Sequence, residues 1–128
     1  MQSLRNPPLI GIVGVCASGK TTLIANLARM GYNCRHIAQE HSYVQDMWKR
    51  LTDPDVLVFL DVSYKYTCER RNLNWTEEEY KEQVHRLRNA RSRADVILNT
   101  DDLTPEEITT LAVTKIEFVI SSIRQTMT

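Results

Sequence analysis

Apolar residues in this chain fall into short, nearly continuous runs, separated by longer stretches in which they recur every three or four positions. Residues 9–13, Leu-Ile-Gly-Ile-Val, are almost wholly apolar with β-branched members, which predicts a strand covered on both faces. Residues 20–29 place Leu23, Ile24, Leu27 and Ala28 at helical spacing, and Gly31 stands where such a helix would end. Residues 34–38 predict a second strand, interrupted by Arg35 and His36, and residues 43–51 predict a helix. Asp53-Pro54-Asp55 marks a turn, and Val56-Leu57-Val58-Phe59-Leu60 behind it is the clearest strand. Asp61 closes that strand and is placed to cap a following helix.

Two capping boxes come next. Thr76 with Glu79 opens a helix whose apolar side is Tyr80, Val84 and Leu87, and Thr104 with Glu107 opens another, with Pro105 at its first position. Val96-Ile97-Leu98 between them is a fourth short strand, and the last helix carries a stripe of Ile108, Leu111, Ala112, Ile116, Val119, Ile120 and Ile123. Doubly apolar strands that alternate with helices pair in parallel through crossover helices. The expected class is therefore α/β, a three-layer αβα arrangement with a mainly parallel sheet of about four strands. The 128 residues fit one domain, with residues 1–8 as a flexible or extended lead-in because Asn6, Pro7 and Pro8 disfavour helix.

Composition narrows the field. At 42% hydrophobic and 25% charged, the chain reads as a soluble globular protein, not a disordered, collagenous or membrane one. Sixteen Lys and Arg balance sixteen Asp and Glu, so no global field draws nucleic acid or a membrane surface, and anion binding must be local. Cys16, Cys34 and Cys68 form neither a disulfide framework nor a metal-binding spacing, a usage that suits a reducing cytoplasm. His36, His41 and His85 likewise converge on no metal pattern, and His41 alone lies beside the candidate site described next.

Gly14-Val15-Cys16-Ala17-Ser18-Gly19-Lys20-Thr21 matches GxxxxGK[ST], the phosphate loop, and stands between a predicted strand and a predicted helix as its mechanism requires. A pattern fixing four of eight positions arises by chance in well under ~1% of chains this long. Glycines let the backbone curl so that N–H groups point inward at phosphate oxygens, and the helix adds its positive end. Gly14, Cys16, Ala17, Ser18, Gly19, Lys20, Thr21 and Thr22 are thus the expected contact set for a nucleoside triphosphate. Lys20 would reach the β- and γ-phosphates, the Thr21 hydroxyl Mg²⁺, and Thr22 the α-phosphate. Cys16 reads as a small loop filler, or as a thiol whose oxidation would block the nucleotide.

Together with this loop, Val58-Phe59-Leu60-Asp61-Val62, the pair Arg70-Arg71 and the segment from Ala94 through Asn99, Asp101 and Asp102 to Glu107 resemble the small nucleoside and nucleotide kinase group of P-loop proteins. The resemblance implies the fold of that group, ATP with Mg²⁺, and transfer of the γ-phosphoryl group to a small acceptor. It implies that Arg70 and Arg71 neutralise charge on the phosphates, and that Asp101 lies in the loop against the base. A basic cluster between Lys81 and Arg93 offers Arg91 as a further catalytic cation, its alternative being a solvated helix face paired with residues 77–79. Asp61 formally fits the strand-plus-acid pattern that orders Mg²⁺, but the resemblance prefers Glu40, which follows the second strand.

Members of that group usually insert a segment that closes on the acceptor. Here about 24 residues separate Gly31 from Val56 and must supply both a strand and a helix. The acceptor site is then reduced, built by a partner subunit such as a second copy, or absent, and Asn72 to Trp75 leaves little room for a lid. Three functions follow: a small-molecule kinase with Lys20, Glu40, Arg70 and Arg91 as its working residues, a nucleotide-dependent regulatory module without turnover, or a nucleotide hydrolase.

Overall fold

The computed structural model describes residues 4–71 and 74–127. Strand β1 (Leu9–Gly14) is buried along its whole length and leads through the glycine-containing loop into helix α1 (Lys20–Arg29). Gly31, at φ 95°, turns the chain out of that helix, with its N–H on Ala28 O and the Tyr32 N–H on Leu27 O. Strand β2 (Asn33–His36) follows, then a single 3₁₀ turn (Gln39–His41), helix α2 (Met47–Leu51) and strand β3 (Val56–Asp61). Helices α3 (Tyr64–Arg71) and α4 (Glu77–Arg93) precede strand β4 (Val96–Asn99), and α5 (Pro105–Met127) ends the described chain.

The sheet is wholly parallel in the order β2-β1-β3-β4, with Ile10 beside Cys34 on one side and Val56 on the other, and Val58 beside Val96. The chain first moves from β1 outward to β2, then crosses back to β3 and on to β4. Right-handed crossovers that run in opposite directions must cover opposite faces of the sheet. The two cores agree with this. Leu23 and Leu27 of α1 join Ile108, Ala112, Ile116 and Ile120 of α5 on one face, while Trp48 of α2 packs with Leu87 and Ala90 of α4 on the other. The reversal of direction falls between the carboxyl ends of β1 and β3, where open parallel sheets leave a crevice. The loop of residues 14–19 leaves β1 at that point.

Both expected capping boxes form. Thr76 Oγ1 accepts from the Glu79 N–H while Glu79 accepts from the Thr76 N–H, and Thr104 and Glu107 do the same at α5. Three expectations need correction. The helix expected over residues 43–51 is only α2, because the Gln39 amide donates to Val44 O at 2.8 Å and its oxygen accepts the Trp48 N–H at 2.8 Å. Those bonds hold the segment between them in turns, and Tyr43 is 83% exposed with Arg86 over its ring. On α4 the inward position taken to be Val84 belongs to Gln83, and Val84 faces outward. Asp61 does not cap α3, since its carboxylate takes Arg91 and the Ser63 N–H is held by Asp101 at 2.8 Å instead.

Residues 1–3 lie outside the described residues. Behind them Arg5 is fastened to Asp55 at 3.3 Å and to Asp53 O at 3.0 Å, and Leu4 packs on the core. Among the described residues no helix is long and apolar enough to cross a membrane.

Candidate functional site

The loop after β1 owes its shape to small residues and to two positions of positive φ. A Cβ on Gly14 would stand 2.7 Å from Ser18 Oγ and 2.8 Å from the Leu60 carbonyl oxygen, so only glycine allows the loop to fold back on β3 there. Ser18 N–H closes a turn on Val15 O at 3.2 Å, and the chain then passes through positive φ at Ala17 (63°) and Gly19 (102°). Gly19 is the N-cap of α1 and has no side chain to satisfy the first helical amides, and the first turn contains no acid. Those amides have no intrahelical acceptor, and with the helix dipole they make a positively polarised end suited to an anion.

Lys20 and Glu40 meet beneath this end. The Lys20 ammonium donates to Gly14 O and to a Glu40 carboxylate oxygen, and both side chains are almost completely buried. Glu40 arrives there because the 3₁₀ turn after β2 tucks Gln39 and Glu40 inward, while His41 faces solvent. The other oxygen of Glu40, Oε1, and the hydroxyl of Ser18 are buried with no hydrogen-bond partner. Such orphaned groups cost free energy unless a ligand or water completes them. Burial, and after it the Lys20 charge, hold the nearby His36 imidazole below its ordinary value.

On the α1 side, Ala17, Gly19, Thr21, Thr22, Arg70, Leu103, Pro105 and Ile108 are among the walls of a cavity of about 330 Å³. That volume lies within the range of small-ligand pockets. Arg70, delivered by α3, spans its rim. Its guanidinium donates to Thr100 Oγ1 at 2.9 Å, to Thr100 O, and more loosely to Ala17 O at 3.4 Å and Ser18 O at 3.5 Å. Thr100 Oγ1 donates to Asp61 O or Ser18 O at 3.2 and 3.3 Å, so this buried threonine ties the loop after β4 to the loop after β1.

The other expected site residues separate from this cluster. The side chain of Arg71 lies outside the described residues. Asp101 lies in the loop after β4 but spends its carboxylate on the Ser63 N–H. Asp61 and Arg91 pair through two nitrogens at 2.7 and 3.4 Å, a bond that holds the Arg91 guanidinium above its ordinary value. They line a second cavity of about 290 Å³ with Val15, Tyr80 and Arg88, apart from Thr21. On α4, Arg86 pairs with Glu82 one turn away at 3.1 Å and Arg91 reaches Asp61 at the end of β3, and neither pairs with residues 77–79. Arg86 also donates to Glu40 O at 3.3 Å.

Gln83 is the residue the sequence concealed. Its side-chain oxygen accepts the Cys16 N–H at 3.0 Å and its amide donates to Cys16 Sγ at 3.2 Å. A buried glutamine one turn before Leu87 and two before Ala90 shares their inward face, and that periodicity was the available signal. The chain matches no protein-family model and no curated protein.

Proposed function

We propose that this protein binds a nucleoside triphosphate, ATP with Mg²⁺ foremost, and transfers the γ-phosphoryl group to a small acceptor. The observation that carries the reading is the curled loop from Gly14 to an uncapped α1, with the Lys20 ammonium beneath it. The free amides of the first helical turn would hold the phosphate oxygens, and Lys20 would exchange Gly14 O and Glu40 for the β- and γ-phosphates. The cavity beside Thr22, Leu103 and Pro105 has room for the base and sugar, with Arg70 along its edge.

The orphaned Glu40 Oε1 fits a metal-linked role, and Thr21 with Glu40 are the residues that would hold Mg²⁺. When bound, the ion would neutralise charge that develops on the phosphates. In the transfer the acceptor oxygen bonds to the γ-phosphorus, the bridging bond to the β-phosphate breaks, and ADP leaves. Arg70, which bonds to Ala17 O and Thr100 Oγ1, would steady the loop and the phosphate charge. A P-loop fold of the nucleotide kinase type accords with the parallel sheet and with the loop after β1.

One observation favours a second reading, a nucleotide-set regulatory module without turnover. Between β2 and β3 the chain supplies one 3₁₀ turn and the five-residue α2, and no larger segment that could fold over an acceptor. Incubation with ATP and Mg²⁺ in the presence of nucleosides, nucleotides or sugars separates the two. ADP release that depends on one acceptor supports the kinase, and tight binding with no release under any condition supports the module. Acceptor-free release abolished in Lys20→Met would instead mark a hydrolase.

A further inference from the structure

A set of metal-binding groups has assembled beside the loop from residues that no spacing rule would join. Cys16 Sγ, a carboxylate oxygen of Glu40 and a ring nitrogen of His41 all lie within 4.8 Å of one another. Cys16 comes from the loop after β1, and the other two from the 3₁₀ turn after β2, so the parallel pairing of β1 and β2 brings them together.

We propose that Cys16, Glu40 and His41 form a binding site for a thiophilic divalent cation of the Zn²⁺ type. A thiolate, an imidazole and a carboxylate are the ligand set that such borderline-soft ions take, whereas Mg²⁺ prefers oxygen alone. The Glu40 carboxylate is buried and its Oε1 has no hydrogen-bond partner, so it keeps an unused oxygen to offer a cation.

Bonds of roughly 2.0–2.3 Å in a tetrahedral site set ligand atoms roughly 3.3–3.8 Å apart, so the three groups must close by about 1 Å. His41 is placed to supply most of that, because its side chain is 61% exposed and its Nε2 already stands 3.8 Å from Glu40 Oε2. Gln83 fixes the sulfur from behind by donating to Sγ at 3.2 Å, the kind of outer support that orients a ligand.

Three protein ligands leave a fourth position for water or another ligand. Thiolate and carboxylate together balance the two positive charges, and the Sγ proton departs to solvent on binding. Lys20 already holds Glu40 and opposes the ion electrostatically, so the site is a weak or regulated one and not a structural staple. The proposal rests on the positions of Cys16, Glu40 and His41 and not on the nucleotide reading.

The test uses the reduced full chain carrying Cys34→Ser and Cys68→Ser, titrated with Co²⁺ alone. One equivalent should bind with a thiolate-to-cobalt charge-transfer band in the near ultraviolet, and Zn²⁺ should erase the band stoichiometrically. Cys16→Ser should abolish the band, and His41→Ala, at a surface position where folding is safe, should weaken Co²⁺ binding at least about tenfold. Binding without a thiolate band, or affinity unmoved by His41→Ala, overturns the assignment.

Discussion

Lys20, at the first position of α1, and Glu40, in the turn after β2, form an ion pair that is almost completely withdrawn from water, with 7% and 4% of their side chains exposed. The pair spans the carboxyl ends of two neighbouring strands, so it is at once a structural tie between the loop and β2 and a store of two charges at the candidate site. Its two roles can be separated by mutation.

Lys20→Met should lower stability by about 3–5 kcal/mol, because it leaves the Glu40 carboxylate buried without compensation. The double variant Lys20→Met/Glu40→Gln should recover most of that loss, since neither charge then remains. Urea denaturation of the two variants checks this, and a double variant no more stable than the single one would refute the pairing.

Gly14→Ala sets a Cβ 2.7 Å from Ser18 Oγ and 2.8 Å from the backbone oxygen of Leu60, which cannot step aside cheaply. The expected cost is about 1–3 kcal/mol. Gly19→Ala meets open space but must hold φ near 102°, a strain of about 1–2 kcal/mol. Thermal denaturation should therefore place both variants below the wild type, each for its own reason.

Much of this was legible in the sequence because local chemistry decided it. The strands β1, β3 and β4, the helix α1 and both capping boxes follow from apolar periodicity and from residues that act within one turn of themselves. The loop at residues 14–21 was legible because glycine, lysine and threonine are each demanded there by backbone shape or charge. What was hidden depends on partners distant in sequence. Gln39 unmakes the first half of an expected helix through two hydrogen bonds, and Gln83 reaches Cys16 across 67 positions. Asp61 reads as a metal carboxylate or a cap until Arg91 takes it. The grouping of His41 with Cys16 likewise needs the sheet order to be known.

Arg70→Ala should loosen the loop by removing its contacts to Ala17 O, Ser18 O and Thr100. Amide hydrogen exchange at residues 17–19 should accelerate, and affinity for a nucleotide should fall at least about tenfold, or ~1.4 kcal/mol. Arg70→Lys keeps the charge but not the fork and should restore only part of either effect. Unchanged exchange in Arg70→Ala would leave the arginine no bridging role.

Tyr32 donates to Glu117 at 2.6 Å and links the end of α1 to α5. Burial first, and then the Glu117 carboxylate, push its hydroxyl from 10.0 up to about 12. A raised folded value means the neutral form is favoured in the native state, so the contribution is complete below pH 10.0 and lost as pH rises towards about 12. Unfolding midpoints measured across that window should fall more steeply for the wild type than for Tyr32→Phe. Parallel curves would contradict the linkage.

Calorimetric titration with a non-hydrolysable ATP analogue and Mg²⁺ tests the phosphate-binding reading of residues 14–22 most directly, run on the wild type and on Lys20→Met/Glu40→Gln after circular dichroism has established that the variant is folded. The account predicts one saturable site in the wild type and binding at least about tenfold weaker in the variant. No binding by the wild type, or the same affinity in both proteins, would contradict it.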